Sequence, residues 1–214
     1  GRNAFHEAAI YGDSEMIKTI HLAGGDPLSK DTNGNTPLSL VLHKGESDIK
    51  AVLGTNLNLC DSDGNTPVHV AVLSKINPQT MKMILDMNYP VNRRNSSGTT
   101  PLTLAISQNS IQLAALLLEY GADPYISDNK GECAVSLALK GNTPVLDYIV
   151  KHSAIKTDIS GEGILHYAAR LSDVETVKKL VSMGLDKSQK SITGETAYDI
   201  AVRWQKPEIA TLLQ

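Results

Sequence analysis

A glycine recurs along this 214-residue chain at Gly1, Gly34, Gly64, Gly98, Gly131, Gly161 and Gly194, at intervals of 33, 30, 34, 33, 30 and 33 residues. Each opens a related segment, from GNTPLSLVL at Gly34 and GNTPVHVAV at Gly64 to GEGILHYAA at Gly161 and GETAYDIAV at Gly194. Roughly twenty residues further on, most units carry an aliphatic stretch and a turn, as in LAALLLEYGADP and VKKLVSMGLDKS. A period near 33 restricts the chain to a row of similar supersecondary units, none of which can bury its apolar face alone. Composition agrees with helices as the material. Hydrophobic residues make up 41% but aromatic ones only 4%, so the core is built from aliphatic side chains and alanine.

The local chemistry of each unit can be read without any further comparison. Thr36, Thr66 and Thr100 are N-cap residues, and the proline after each sits at the first helical position, where a missing N–H costs nothing. Leu38, Val68, Leu102, Val135, Leu165 and Tyr198 occupy one equivalent position. Ala71, Ala105, Ala138, Ala168 and Ala201 follow three residues later on the same face, small enough to let helices approach closely. The second helix ends in a left-handed cap, supplied by Gly121 or Gly184 and, in the third unit, by Asn88. A third GNTP, Gly141 to Pro144, falls off the period. It is expected at the turn between the two helices of the fifth unit, in the slot of Gly12 and Gly45, with Thr143-Pro144 capping and starting the second helix.

Together these residues resemble the ankyrin repeat, with its D-x-x-G-x-T-P-L-H-x-A segment followed by an aliphatic helix and G-A-D. DSDGNTPVHVAV and LLLEYGADP are close matches. The resemblance implies an all-α solenoid of stacked helix-turn-helix units joined by β-hairpin loops. It implies a single domain over 1–214, with repeats at about 1–27, 28–57, 58–91, 92–124, 125–155, 156–187 and 188–214. Gly1 corresponds to the middle of a hairpin, so the first repeat is expected to be truncated. The last unit, with Arg203, Gln205, Lys206 and Glu208, reads as a closing repeat. In the fifth and sixth units Cys133-Ala134 and Gly163-Ile164 replace Thr-Pro, and a weak seam is expected there.

For function the resemblance implies a protein or peptide partner, held in a concave groove of hairpin tips and first helices, and no intrinsic catalysis. Carrying the family's variable positions across gives Tyr11, Lys44, Leu73, Lys75, Gln108, Lys130, Glu132, Lys140, Glu162, Arg170, Leu171, Glu195, Arg203 and Trp204 as candidate contacts. Lys44, Lys75, Lys140, Arg170 and Arg203 form a cationic helix row, opposed by Asp63, Glu132, Glu162 and Glu195 on the hairpins. Such a charge-segregated groove suits a partner with acidic residues on one side and basic ones on the other. Trp204 beside Arg203 makes the C-terminal half the preferred contact area. The alternatives are a recognition arm of a longer enzyme or membrane protein, and a passive spacer.

Other chemistry finds little support. His6, His69 and His166 recur at one motif position but in units too far apart to share an ion. In the family that histidine braces the hairpin by hydrogen bonds. Cys60 and Cys133 lie two units apart, beyond disulfide reach. No cofactor and no metal are expected. A net charge of −3 without basic runs disfavours nucleic acid, and no apolar run approaches a membrane span. The expectation is a cytoplasmic monomer without membrane insertion.

Overall fold

The computed structural model describes residues 1–141 and 143–214. Asn142, inside the third GNTP, lies outside the described residues. The chain divides into two compact units, Gly1–Tyr120 and Gly121–Gln214.

The first unit holds four helix pairs: α1 (Ala4–Tyr11) with α2 (Ser14–Leu22), α3 (Pro37–Val41) with α4 (Glu46–Leu53), α5 (Pro67–Leu73) with α6 (Pro78–Asp86), and α7 (Pro101–Ser107) with α8 (Ile111–Glu119). Among its described residues the second unit holds three: α9 (Ala134–Lys140) with α10 (Val145–His152), α11 (Ile164–Leu171) with α12 (Val174–Ser182), and α13 (Ala197–Arg203) with α14 (Pro207–Leu213). First helices pack on first helices and second on second: α1 on α3 and α2 on α4 in one unit, α11 on α13 and α12 on α14 in the other. The row of alanines at the first-helix position explains the close approach, since Ala71, Ala105, Ala138, Ala168 and Ala201 are all fully buried.

The helix starts follow the expected chemistry where Thr is present. Thr36 Oγ1 accepts from Ser39 N at 3.1 Å and Thr100 Oγ1 from Thr103 N at 3.2 Å, each with proline at the first helical position. Gly121, Gly184 and Asn88 take positive φ after the second helices. Between repeats the chain makes the same five-residue turn six times. An Asp, Asn or Ser N–H donates to the carbonyl four residues on, as in Asp31 to Asn35 at 2.8 Å and Asp158 to Glu162 at 3.0 Å. The period-marking glycines Gly34, Gly64, Gly98, Gly131, Gly161 and Gly194 sit inside these turns with φ between 74° and 83°, which is why the glycine is periodic. Among the described residues the turns form no extended strands, only an isolated antiparallel bridge between Thr157 and Gly163.

Two expectations need correction. Thr143-Pro144 does not open the second helix of the fifth unit with a side-chain cap. α10 begins at Val145, Pro144 is its right-handed N-cap, and the buried Thr143 Oγ1 finds no partner among the described residues. Gly141 is the right-handed C-cap of α9 and stands one place earlier in its repeat than Gly12 and Gly45. In the last repeat, Lys206 is not simply a solvated end charge. Its Nζ donates to Arg170 O at 2.7 Å and Ser172 O at 3.0 Å, closing the carbonyl end of α11.

At the expected seam, α9 starts without a side-chain cap from Cys133, and Ser136 Oγ takes over by accepting from Cys133 N at 2.9 Å. Gly163 has an ordinary φ of −92°, but a Cβ there would lie 3.2 Å from Lys156 O and 2.6 Å from Gln189 Oε1. The glycine therefore admits the bridge to Thr157 as well as omitting a cap. Two tyrosines lace the same region. Tyr125 OH donates to Lys156 O at 2.7 Å, Tyr167 OH donates to Asp158 Oδ2 at 2.8 Å, and their rings are 5.8 Å apart. Burial, reinforced by the Asp158 bond, raises the Tyr167 phenol far above its ordinary pKa, so it stays a donor.

Candidate partner-binding surface

In the second unit, three charged pairs join each hairpin to the helix that follows it. Glu132 stands one residue before the N-cap of α9 and Lys140 at the end of that helix, and they meet at 2.5 Å. Glu162 and Arg170 repeat the arrangement with two parallel bonds of 2.9 and 2.7 Å. Glu195 and Arg203 repeat it a third time. All three pairs are spaced eight residues apart because the hairpin turns back over the helix it precedes. The Arg170 guanidinium also lies 4.9 Å from the Tyr167 ring centroid. The carboxylate of Glu162 pushes the Arg170 pKa up, so the charge is held firmly.

In the second unit the hairpin acids do stand against the helix cations, but the two rows are not left free for a partner. The charges close on one another inside each repeat. Neither do the expected cations share one slot. Lys44 follows α3 by a turn, donates from Nζ to Gly12 O at 3.2 Å and approaches Asp48 at 3.9 Å. Lys75 sits in the α5–α6 turn with a left-handed φ of 50°. Asp63, assigned to the hairpin row, pairs with Lys30, which also reaches the buried Asp61 at 3.0 Å.

Large apolar side chains from the same candidate set remain exposed. Tyr11 ends α1 at 78% exposure, Leu73 ends α5, Leu171 ends α11 and Trp204 caps α13 at 54%. Gln108 caps α7 half-buried, its Oε1 buried without a partner among the described residues, and Lys130 lies exposed at a hairpin tip. Ile159 and Ile192 belong to the family's variable hairpin positions, but the sequence reading did not single them out as apolar contacts. They occupy consecutive hairpin tips at 100% and 77% exposure. An isoleucine at the position of Thr32, Ser62 and Ser96 was the available signal.

A family model described as "Ankyrin repeats (3 copies)" matches residues 5–95, 49–128, 74–160 and 134–214. The chain belongs to the ankyrin-repeat family. Its curated relatives include the phosphocholine transferase AnkX of Legionella pneumophila, 28% identical over 95% of this chain and 24% of that protein. Ankyrin repeat protein nuc-2 of Neurospora crassa is 29% identical over 86% of this chain and 18% of its own length. Human Rabankyrin-5 is 28% identical over 82% of this chain and 16% of its own length. The chain thus spans a quarter or less of these three relatives. Among solved structures, the ankyrin repeat domain of Bcl-3 superposes with a TM-score of 0.72 at 24% identity, covering 100% of this chain and 98% of that one. That likeness bears on the fold, and ankyrin repeats in general are protein-interaction scaffolds.

The ankyrin-motif histidines have the bracing role expected of them. His69 Nδ1 accepts from Thr66 N at 3.2 Å, so Nε2 carries the proton and donates to Thr99 O of the next hairpin at 2.9 Å. His166 does the same between Gly163 N at 3.1 Å and Glu195 O at 3.1 Å, and His6 Nε2 lies 3.1 Å from Asn35 O. Burial holds His69 and His166 below the ordinary imidazole pKa, as suits a neutral brace. Cys60 and Cys133 are both free thiols. Among the described residues no helix is long and apolar enough to cross a membrane.

Proposed function

We propose that this chain is a protein-recognition module whose partner lies against hairpin tips and first-helix ends, with the second unit as the principal contact area and no chemistry of its own. The observation that carries this reading is the exposure of Leu171 and Trp204 at equivalent positions of adjacent first helices, next to the Glu162–Arg170 and Glu195–Arg203 pairs. Tryptophan, and arginine already positioned by a carboxylate, supply large contact area with little side-chain entropy left to lose. Tyr11 and Leu73 offer lesser anchors of the same kind on the first unit. Two free thiols fit a reducing compartment and hence a cytoplasmic setting.

The coverage of 24% of a relative named as a transferase favours one further reading, that the repeats are the recognition arm of a longer enzyme. Both readings place the contact on the same surface and share one test. A pull-down from native lysate, read by mass spectrometry, compares the wild type with Leu171→Ser/Trp204→Ala at matched helicity. Proteins retained by the first and lost by the second are expected. Identical retention by both overturns the assignment of this surface, and retention by neither favours a passive spacer.

A further inference from the structure

The chemistry of the partner can be read one step further, on the footing that the surface just proposed is the recognition surface. Three observations converge. The charged side chains between the hairpin tips and the helix ends, Glu162 with Arg170 and Glu195 with Arg203, are already balanced within their own repeats. A charged partner would have to break these pairs to gain from them. Next, the flanking positions are apolar on both sides, with Ile159 and Ile192 at the tips and Leu171 and Trp204 at the helix ends, all exposed. Isoleucine left wholly or largely in water at a turn gains little for the fold, since it buries little area there.

The third observation concerns the backbone. An extended peptide joins a hairpin by pairing with unused N–H and C=O groups. Here most of the tip donors are already used, and no alternating run of free ones is left. Ser160 N and Glu162 N both donate to Asp158 Oδ1, at 2.8 and 2.9 Å, and Gly161 N donates to Asp158 O at 3.0 Å. In the next hairpin, Ile192 N donates to Ser160 O at 2.8 Å and Gly194 N to Ser191 O at 3.0 Å. Strand addition finds no ladder at these tips, whereas a segment with its own backbone bonds satisfied needs none.

From these we infer that the tip-and-ladder face of the second unit recognises an amphipathic α-helix through an uncharged aliphatic stripe. Neighbouring helices of a stack lie about 8–10 Å apart, and seven residues of helix rise about 10.5 Å. A helix along this face therefore meets one tip with residue i and the next with residue i+7. Its residues i+3 and i+4 fall midway between the tips, flanked by Leu171 on one side and Trp204 on the other. The ion pairs beneath act as a neutral floor that excludes register slips by any stripe bearing a charge.

The test is selection of a displayed library of helical peptides, randomised on one face, against the whole 214-residue chain. The winners are synthesised and titrated at about 50 and about 500 mM salt. Aliphatic residues at i, i+3 or i+4, and i+7 are expected, with affinity changing less than about threefold with salt. Ile159→Asp/Ile192→Asp is expected to weaken them by tenfold or more, on the order of 1.4 kcal/mol. Both positions are exposed, so the fold is retained, as circular dichroism would verify. Winners that are acidic or basic, or that are lost on Glu162→Gln/Arg170→Gln but not on the isoleucine change, overturn the aliphatic-helix inference while leaving the surface assignment standing. Winners indifferent to every variant on this face, or an empty selection, overturn both.

Discussion

The hairpins of the two units share one backbone turn and hold their side chains in different ways. In the first unit the support runs from repeat to repeat. Lys30 reaches forward to Asp61 and Asp63, Asn65 Nδ2 donates to Asp61 Oδ2 at 3.1 Å, and Asn95 Nδ2 donates to Asn65 Oδ1 at 2.9 Å. In the second unit the residue before the N-cap is Glu instead of Asn or Thr, and it turns to a cation eight residues on in its own repeat. The first arrangement couples neighbours through buried amides and a carboxylate. The second stiffens each hairpin against its own helix and leaves the tips themselves bare, so a surface for a partner is available where side chains are not spent on the next repeat.

The sharpest way to break this comparison is Asp61→Ala. Asp61 is buried and accepts from Asp63 N, Asn65 N and Asn65 Nδ2, with Lys30 beside it. Burial alone would raise its pKa, but the bonds from Asn65 and Lys30 outweigh it and hold the carboxyl below its ordinary value. Removing it orphans several donors, and a loss of about 3 kcal/mol in urea unfolding is expected, read chiefly in the first unit. Because the folded pKa is depressed, the contribution of Asp61 is complete above about pH 4 and fades as pH falls through the folded value. A pH-independent melt between about pH 5 and 2 would show that the lattice contributes little.

Arg170→Met is the counterpart in the second unit. The bidentate pair is four-fifths shielded, so about 1–2 kcal/mol is expected, with Glu162→Gln/Arg170→Met losing less than the sum of the single changes. Additive losses in that double-mutant cycle would mean the pair does not couple hairpin to helix. A gentler effect, common to both units, comes from the histidine braces. Their folded pKa values are depressed by burial, so stability is full above about pH 6.5 and declines as pH falls below it. His69→Gln and His166→Gln are expected to flatten this slope between about pH 7 and 5, each in its own unit by hydrogen exchange. Smallest is Arg203→Met. Its pair is open to solvent, and a loss below about 1 kcal/mol, weakened further by salt, is expected.

The repeat register was legible from the glycines alone, because a turn that needs positive φ leaves its mark at a fixed residue type. The caps, the alanine row and the left-handed Asn88 follow from the same backbone logic. The opposition of hairpin acids to helix cations was read but their pairing inside each repeat was not, although Glu132, Glu162 and Glu195 each stand eight residues before Lys140, Arg170 and Arg203. Grouping cations by sequence resemblance mixed Lys44 and Lys75 into a row that only the last three share, since the reach of a long side chain depends on how the hairpin folds over the helix. Lys206 and Thr143 were misread for a related reason. Each sits in a segment whose role is set by the carbonyls or turn it happens to face, and neither leaves a periodic trace.

The histidine braces carry a mechanical consequence. Only the first, third and sixth repeats have a side chain at this position long enough to bond the following hairpin; Ser39, Thr103 and Ser136 at the equivalent place reach only their own N-cap region. Within the first unit the junctions therefore run latched, unlatched, latched, and within the second unlatched, then latched. Pulled from its ends, such a chain is expected to keep its histidine-latched pairs together longest and to pay each of them out as a two-repeat block, roughly 20 nm at a time. It behaves as a spring of paired coils instead of a uniform one.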